Sequence, residues 1–347
     1  WAAANPRHIA LAREVLIDEG GEVAKSSMVR PLKIAAELDA ARMDRQSVVM
    51  IVGGGAFLDM VGFAAAITHR GVRVVRVPST VLSQANSAVG VKNGINAFGK
   101  KNFLGTFAAP FAVVNDAALL GTLPPRDRVA GMAEAVKVAL VRDGAFFEWI
   151  TKKTRALAAN DRSAVGELIE RSAELHARHI ATSGDPFELG SARPLDFGHW
   201  AAHKLESLSE YDVRHGEGVA IGIALDTYYS VEAGKLPRPA LETVIHTLSA
   251  LGLPLWHDRM EDPALLDGIR EGVKSRDGKL SGEEKSIEHG ADKLPGREFL
   301  VEKGKQRVKM RVIVSGNRVY QVALIGTEAF ATGKDGTAFL DSFSITK

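Results

Sequence analysis

The sequence predicts an α/β protein in which a doubly wound parallel sheet is followed by a helical domain. Three observations indicate this fold class. Short β-branched segments alternate with helical patterns up to about residue 125, which is typical of parallel sheets. Long helical patterns without a convincing strand then run over residues 126–252. The sequence after residue 298 alternates with the period of strands and predicts a small α+β module.

Size and composition limit the kind of protein this can be. Its 347 residues suffice for two domains or for one large domain with an appendage. The 44 basic and 42 acidic residues nearly cancel, which argues against a nucleic-acid partner. Because there are no cysteines, disulfides, thiolate metal sites and a cysteine nucleophile are excluded. The absence of cysteines also favours a reducing, cytoplasmic compartment. We expect neither a signal peptide nor a membrane span, since the one apolar segment of span length contains Asp59 and three consecutive glycines.

The first elements can be assigned in order. Helices are predicted over residues 5–18 and 26–42, where Ala, Ile, Leu and Val recur with helical spacing. Between them lies a loop, Gly20–Lys25, that holds one acid and one base. The run Ser47–Val52 predicts a buried strand by its length and β-branching, and it leads directly into Gly53–Gly55.

The three glycines and a helix predicted at Phe57–His69 complete a strand, turn and helix that could cradle a phosphate. Glycines allow close backbone approach, and the first N–H groups of a helix are free to bind an anion. The pattern is not GxGxxG, so a turn that only packs against its neighbours stays an open alternative.

Two further strands are predicted at Val72–Val77 and Phe111–Asn115. Between them, Gln84–Asn102 is rich in Gly and Asn and contains three lysines, among them Lys92 and Lys101. This segment is interpreted either as a solvated loop or as an anion site built from backbone N–H groups and lysines. In sheets of this class ligands bind at the carboxyl ends of the strands.

Three of the ten histidines lie close together in the sequence. His199 and His203 are four residues apart, so they share one face of a helix. His215 begins a second apolar segment that is predicted to be helical. If these helices cross, His199 and His215 could bind one divalent metal, which would need a third protein ligand from elsewhere.

The helix predicted at Val129–Val141 offers that ligand. Its apolar sequence is interrupted only by Glu134 and Lys137, which are three residues apart on one face. A buried ion pair would explain both residues. The alternative is a metal-binding glutamate beside a catalytic lysine, and Glu134 is the best candidate to complete a site with His199 and His215.

The composition changes again near residue 272. The following residues, rich in Gly, Lys, Glu and Ser, predict a linker, and Gly316-Asn317 predicts a two-residue hairpin turn. A short helix is expected at Ala338–Phe343. These shifts divide the chain into an α/β domain (1–125), a helical domain (126–271), a linker (272–297) and a β-hairpin-plus-helix module with a structural or interaction role (298–347).

Ten short motifs occur in one order along residues 20–260. They are GGExxK at Gly20–Lys25, GGGxxxDxxGF at Gly53–Phe63, HRG at His69–Gly71, PST at Pro78–Thr80, GVK at Gly90–Lys92, KN at Lys101–Asn102, TLP at Thr122–Pro124, GMAEAVK at Gly131–Lys137, FGHxxxH at Phe197–His203 and HGE at His215–Glu217. This set resembles the 3-dehydroquinate synthase family of the sugar phosphate cyclases, and in detail an EboD-like branch of it. The last 55 or so residues are unrelated to that family.

The resemblance implies a Rossmann-like NAD-binding domain, N-terminally shortened, followed by an all-helical metal-binding domain. It also implies NAD and Zn²⁺, or Co²⁺ in its place, as cofactors, and by analogy a homodimer. Around NAD it would place Glu22, Lys25, Gly54, Gly55, Asp59, Ser79, Thr80, Asn86 and Thr122. The metal ligands would be Glu134, His199 and His215. Around a seven-carbon sugar phosphate it would place Arg70, Lys92, Lys101, Asn102, Lys137, Arg193, Asp196 and His203.

The activity implied is that of a lyase of aromatic amino acid biosynthesis by the shikimate pathway. NAD oxidises one hydroxyl, phosphate is eliminated, the hydride returns, and an intramolecular aldol addition closes the ring. One alternative is an alcohol or glycerol dehydrogenase of the same fold, which binds its metal with Asp and two His and lacks the lysines of GVK and KN. The other is a non-catalytic descendant whose C-terminal module binds a partner.

A few positions depart from the pattern of the family. Asn86 stands where the family usually has Asp. The segment Arg193–Asp196 replaces Arg-x-x-x-Asn, and Arg178 replaces a substrate-binding Lys. Because these changes lie on the substrate side, the resemblance favours cyclase chemistry more than it favours dehydroquinate as the product.

Overall fold

The computed structural model describes residues 10–98, 100–182, 196–232, 234–262, 264–265, 279–280, 285–290, 292–303, 306–315 and 318–343. The predicted site residue Arg193 lies outside these ranges. The chain divides into two compact units at residue 265. Within the ranges given, no helix combines the length and the apolar character that crossing a membrane requires.

The first unit begins with a three-stranded sheet in the order β1-β2-β5. The elements of this α/β part are α1 (Val29–Ala40), β1 (Val48–Gly53), α2 (Gly55–Ile67), β2 (Arg73–Pro78), β3 (Lys92–Ala97), β4 (Lys100–Phe107) and β5 (Ala112–Val113). β1 and β2 are parallel, as are β2 and β5, and α2 is the crossover between β1 and β2. The three predicted strands and the predicted helix after the glycines are therefore confirmed.

α2 holds the sheet together because it is apolar on most of its surface. Asp59 is its single charged residue. Leu58 and Phe63 pack in one core with Ile51 of β1 and Val74 of β2. Burying each of these side chains contributes about 1.5–3 kcal/mol, so this core fixes the glycine turn at the start of α2 against the end of β1.

The helix predicted at residues 5–18 is wrong over residues 10–18, which have no regular structure. Leu11, Val15 and Ile17 are exposed there, so the helical spacing does not correspond to a buried face. A helix of this length is marginal in water unless tertiary packing supports it. Residues 26–42 do contain a helix, α1, which has the buried residue Leu38.

The loop predicted at Gln84–Asn102 is also corrected. It contains a π-helical turn at Ser83–Ser87 and most of the antiparallel hairpin β3–β4. Two glycines pair across this hairpin because the strands lie close together. A Cβ on Gly94 would be 2.8 Å from the carbonyl oxygen of Leu104. The glycines that suggested a loop therefore serve close strand pairing.

The rest of the first unit is helical, as predicted for residues 126–252. Its helices are α3 (Pro125–Arg142), α4 (Gly144–Ala158), α5 (Arg162–Thr182), α6 (His199–Leu208), α7 (His215–Glu232) and α8 (Arg238–Ala250). Met132 and Val136 of α3 share a core with Val219 and Ile223 of α7. Both sides of the boundary predicted near residue 125 belong to this one unit.

The second unit contains an antiparallel sheet in the order β10-β9-β8-β6, with β7 paired to β8. Its elements are β6 (Lys279–Leu280), β7 (Lys285–His289), β8 (Leu294–Lys303), β9 (Gln306–Ser315), β10 (Arg318–Gly326), α9 (Glu328–Thr332) and α10 (Lys334–Asp341). Ser315 pairs with Arg318, which agrees with the predicted two-residue turn. Residues 279–280 and 285–289 were predicted as linker, and that prediction is corrected because they pair with β8.

Candidate active site

Three helices bring the predicted metal ligands together. Oε1 of Glu134 on α3 lies 3.1 Å from Nε2 of His199 on α6 and 3.3 Å from Nε2 of His215 on α7. One donor atom of each residue lies within 4.8 Å of the others. One carboxylate and two imidazoles form the donor set typical of catalytic zinc sites that keep an open position.

Glycines at the helix contacts allow this convergence. A Cβ on Gly216 would lie 1.7 Å from the carbonyl oxygen of Ala130, and one on Gly222 would lie 1.9 Å from that of Gly198. Gly198 also has a φ of 77°, a left-handed backbone that favours glycine. This turn starts α6 at His199. The glycines of the FGH and HGE motifs thus place the histidines beside them.

The second oxygen of Glu134 is occupied by protein donors. Oε2 accepts a hydrogen bond of 2.8 Å from Nδ2 of Asn86 and lies 2.6 Å from Nζ of Lys137. Burial opposes the charge of Glu134, yet Lys137 and His199 hold the pKa of its carboxyl well below the ordinary value. From the sequence, Glu134 was interpreted either as part of a buried ion pair or as a metal ligand. Here the ion pair uses Oε2 and leaves Oε1 directed at the histidines.

A residue missed by the sequence analysis, Glu206 on α6, completes this cluster. Its Oε1 lies 2.6 Å from Nδ1 of His215, and its Oε2 pairs with Nζ of Lys101 from β4. Although burial opposes ionisation, His215 and Lys101 lower the pKa of Glu206 to about 2. Helix spacing could have indicated it: Glu206 is three residues after His203 and seven after His199, so it lies on the same helix face as both histidines.

The loop before α1, the helix α2 and the β3–β4 hairpin form a polar cluster next to Lys101. Nζ of Lys25 lies 2.7 Å from Oδ2 of Asp59 and also contacts Oδ1 of Asn102. The backbone N–H of Asn102 donates to Oδ1 of Asn96, and Asn96 donates to Glu22, both at 2.9 Å. The predicted residues Glu22, Lys25, Asp59 and Asn102 are therefore brought together. Burial raises the pKa of Asp59, and Lys25 opposes this shift.

The glycine turn has the shape expected of a phosphate cradle. α2 begins at Gly55, directly after Gly54. A Cβ on Gly55 would lie 2.7 Å from Oγ of Ser87, and one on Gly54 would lie 3.2 Å from Cγ2 of Thr80. The Ser87 hydroxyl is buried and has no hydrogen-bond partner among the described residues. The first N–H groups of α2 and the Ser87 hydroxyl could therefore bind an anion at this turn.

Two substrate candidates lie at the edge of this region. The ring centroid of His203 is 5.4 Å from that of His199 and 5.8 Å from that of His215, so His203 lies beside the two candidate ligands on the helix face that it shares with His199. Lys92 begins β3 with an exposed side chain. Its carbonyl oxygen lies 3.4 Å from Nη2 of the buried Arg76, which anchors this part of the hairpin.

The remaining predicted residues are more dispersed. The backbone N–H of Ser79 donates to the carbonyl of the last residue of β1 at 2.9 Å, and the hydroxyl of Thr122 donates to the carbonyl of Leu119 at 2.8 Å. Asp196 is half-buried in the turn before α6. Arg70 is exposed after the C-terminal end of α2, at the opposite end of that helix from the glycine turn.

Comparison with known proteins gives a consistent result. The family model described as 3-dehydroquinate synthase N-terminal matches residues 15–130, and that described as 3-dehydroquinate synthase C-terminal matches residues 131–275. The 3-dehydroquinate synthase of Halorhodospira halophila is 39% identical over 240 residues, which are 69% of this chain and 67% of the relative. That of Roseobacter denitrificans is 40% identical over 267 residues, 75% of this chain and 71% of the relative. For that of Ruegeria pomeroyi the identity is 42% over 214 residues, and the chain spans only 57% of its length.

Solved structures are similar over about three quarters of the chain. A 2-epi-5-epi-valiolone synthase from Streptomyces hygroscopicus, with NAD⁺ and Zn²⁺ bound, matches with a TM-score of 0.71 and 28% identity over 75% of this chain and 72% of its own. A 2-deoxy-scyllo-inosose synthase in complex with carbaglucose-6-phosphate, NAD⁺ and Co²⁺ matches with a TM-score of 0.67 and 24% identity over 77% and 73%. The second likeness supports the fold alone.

Proposed function

The chain belongs to the 3-dehydroquinate synthase family, and we propose that it acts as an NAD- and metal-dependent sugar phosphate cyclase. The reaction would oxidise one hydroxyl of a seven-carbon sugar phosphate, eliminate phosphate, return the hydride and close a carbocycle by aldol addition. The observation that carries the proposal is the position of Glu134 Oε1, which faces Nε2 of both His199 and His215.

These residues fit a zinc ion. The ionised carboxylate and two imidazoles are its usual ligands in catalytic sites, and Co²⁺ accepts the same donors. When bound, the metal would act as a Lewis acid on the substrate oxygen that is oxidised and later reduced. Lys137 and Asn86 would hold Glu134 through Oε2, so that it offers Oε1 to the metal.

The glycine turn fits the pyrophosphate of NAD. Gly54 and Gly55 allow Thr80 and Ser87 to lie close to the turn, and the Ser87 hydroxyl has no hydrogen-bond partner among the described residues. NAD would supply the hydride acceptor and, later in the same turnover, the hydride donor. We propose that Lys25 and Asp59 lie beside the nucleotide. Glu22, Ser79, Thr80 and Thr122 stay predictions for this site.

The substrate would lie between the β3–β4 hairpin and the helices. Lys101 and Asn102 would contact it from the hairpin, and Lys137 and His203 from the helical side. Lysines stabilise the negative charge that develops on a leaving phosphate. Substrate contacts stay predictions for Arg70, Lys92, Arg193 and Asp196. A cytoplasmic location and a homodimer also stay predictions.

The identity of the sugar phosphate can be tested directly. The chain loaded with zinc and NAD is incubated with a panel of seven-carbon sugar phosphates, and phosphate release and cyclic products are measured. The proposal predicts one phosphate released for each ring formed, without accumulation of NADH. Net NADH from a simple alcohol would instead favour the dehydrogenase alternative. A purified chain that binds neither zinc nor NAD would favour the non-catalytic descendant.

A further inference from the structure

Glu206 joins the metal cluster to the hairpin that carries Lys101. Only 2% of its surface is exposed, and both of its oxygens have charged or ionisable partners. Oε1 meets Nδ1 of His215 at 2.6 Å, and Oε2 pairs with the Lys101 ammonium. Burying a carboxylate costs several kcal/mol, so contacts of this kind are needed to keep it ionised inside the protein.

The contact with His215 determines which ring nitrogen can bind a metal. A carboxylate next to Nδ1 accepts a hydrogen bond from the N–H of that nitrogen and so favours the ring form that is protonated there. Nε2 of the same ring faces Glu134 Oε1, the position of the proposed metal. When Nδ1 keeps its proton, Nε2 of the neutral ring is the nitrogen with a free lone pair. A hydrogen bond of this kind also increases the basicity of the ligand.

The other histidine ligand has weaker support. Nδ1 of His199 lies 3.3 Å from the carbonyl oxygen of Phe197 and 3.5 Å from Nζ of Lys137. A backbone carbonyl is a neutral acceptor at a longer distance, whereas Glu206 is a charged acceptor at a short one. Among the described residues, Glu206 is thus the charged acceptor at Nδ1 of His215, in addition to Glu134 at Nε2.

We infer that Glu206 is a positioning residue for the metal site: it accepts a hydrogen bond from Nδ1–H of His215, presents Nε2 to the metal, and holds Lys101 beside the same cluster. This inference rests on the proposed function, because it concerns a ligand of the proposed metal. It does not require Glu206 to contact the substrate or to bind the metal itself.

Glu206 could in principle be a ligand instead, since donor atoms of His203, Glu206 and His215 lie within 4.8 Å of one another. The geometry argues against a second ion there. Each oxygen of Glu206 already accepts a hydrogen bond, one from His215 and the other from the Lys101 ammonium. A second cation would have to displace or lie next to that positive charge.

Four variants separate the roles. Glu206→Met removes the acceptor, Glu206→Gln keeps a neutral acceptor, and Lys101→Met removes only the ion pair. The double variant Lys101→Met/Glu206→Met replaces the pair by apolar side chains, which leaves no unpaired buried charge and guards against loss of folding. Zinc affinity is measured by competition with a chelator, and zinc per chain by elemental analysis.

We expect one zinc per wild-type chain. Zinc affinity should fall about 10–100-fold in Glu206→Met and in the double variant, recover in part in Glu206→Gln, and stay near the wild-type value in Lys101→Met. In the zinc-loaded wild type, ¹⁵N NMR should find the His215 proton on Nδ1.

Three results would overturn the inference: unchanged zinc affinity in Glu206→Met, an equal loss in Lys101→Met, or two zinc ions per chain with Glu206 among the ligands. A His215 proton found on Nε2 would overturn it too, even if no Glu206 variant folds. A wild-type chain without zinc affinity would instead reject the proposed function, so the two failures can be told apart.

Discussion

Nδ2 of Asn86 donates a hydrogen bond of 2.8 Å to Oε2 of Glu134, the same oxygen that pairs with Lys137. Asn86 was predicted near NAD, and its side chain here contacts a candidate metal ligand. The donor explains why an asparagine suits this position: an aspartate would place a second carboxylate against Oε2. Asn86 and Lys137 together orient Glu134 so that Oε1 faces the two histidines.

Replacing Asn86 by alanine should destabilise the metal-free protein by about 1.5–3 kcal/mol, the range for hydrogen bonds to charged groups. Urea denaturation measures this loss. Asn115→Ala is the matched control, because Nδ2 of Asn115 donates to a neutral backbone carbonyl at 3.2 Å and its loss should cost less. An equal loss of unfolding free energy in the two variants would show that the Asn86–Glu134 hydrogen bond stabilises the protein no more than a hydrogen bond to a neutral carbonyl.

His199→Ala should abolish stoichiometric zinc binding while the protein stays folded. His199 is only partly buried, and Glu134 keeps its ion pair with Lys137 when the ring is removed. Zinc is measured by elemental analysis and the fold by circular dichroism. His246→Ala on the exposed side of α8 serves as the control and should bind zinc normally. Full zinc occupancy in His199→Ala would contradict the ligand assignment.

Zinc affinity should rise with pH until about pH 9. Burial disfavours the charged ring, but Glu206 and Glu134 raise the pKa of His215 in the metal-free chain to about 9. Zinc binds only the unprotonated Nε2, so below that pH one proton must leave for each zinc bound. The dissociation constant should therefore fall about tenfold for each pH unit between pH 7 and 8.5.

Calorimetry in buffers of different ionisation enthalpy counts the protons released by zinc. A value near one at pH 8 agrees with a protonated His215 in the metal-free chain. Zinc affinity that does not change over this pH range would mean that His215 is already neutral or is not a ligand.

Gly55→Ala should weaken NAD binding about tenfold or more, equivalent to about 1.4 kcal/mol. The added Cβ would lie 2.7 Å from Oγ of Ser87, so the turn or the Ser87 hydroxyl would have to move away from its position beside the proposed phosphate site. Gly144→Ala is the matched control, because Gly144 also begins a helix and a Cβ there meets no atom within 4 Å. Titration of both variants with NAD should find a loss only in Gly55→Ala.

The sequence predicted that Glu134, His199 and His215 lie close together, because local motifs encode their positions. Spacing put His199 and His203 on one helix face, and isolated charges in an apolar helix singled out Glu134. Helix spacing puts Glu206 on the face of His199 and His203, but its contacts depend on how α6 meets α7 and the β3–β4 hairpin. That contact joins segments about 100 residues apart, Lys101 and Glu206, and no local pattern encodes it.

Local patterns failed elsewhere for similar reasons. Helical spacing at residues 10–18 had no surface to pack against, so burial did not stabilise a helix. The glycines of β3 and β4 resemble loop glycines until the strands are paired. Residues 285–289 resemble a linker in composition but form β7, because β8 supplies the hydrogen-bonding partner.

We propose that NAD is reduced and reoxidised within one turnover of a sugar phosphate. The most direct test uses a seven-carbon sugar phosphate with deuterium at the carbon that is oxidised, with catalytic amounts of NAD and zinc-loaded protein. If the chain is such a cyclase, phosphate is released and NADH does not accumulate. The cyclic product then retains the deuterium at the carbon that is oxidised. Deuterium recovered in stoichiometric NADH, with an uncyclised ketone as the product, would contradict the proposal.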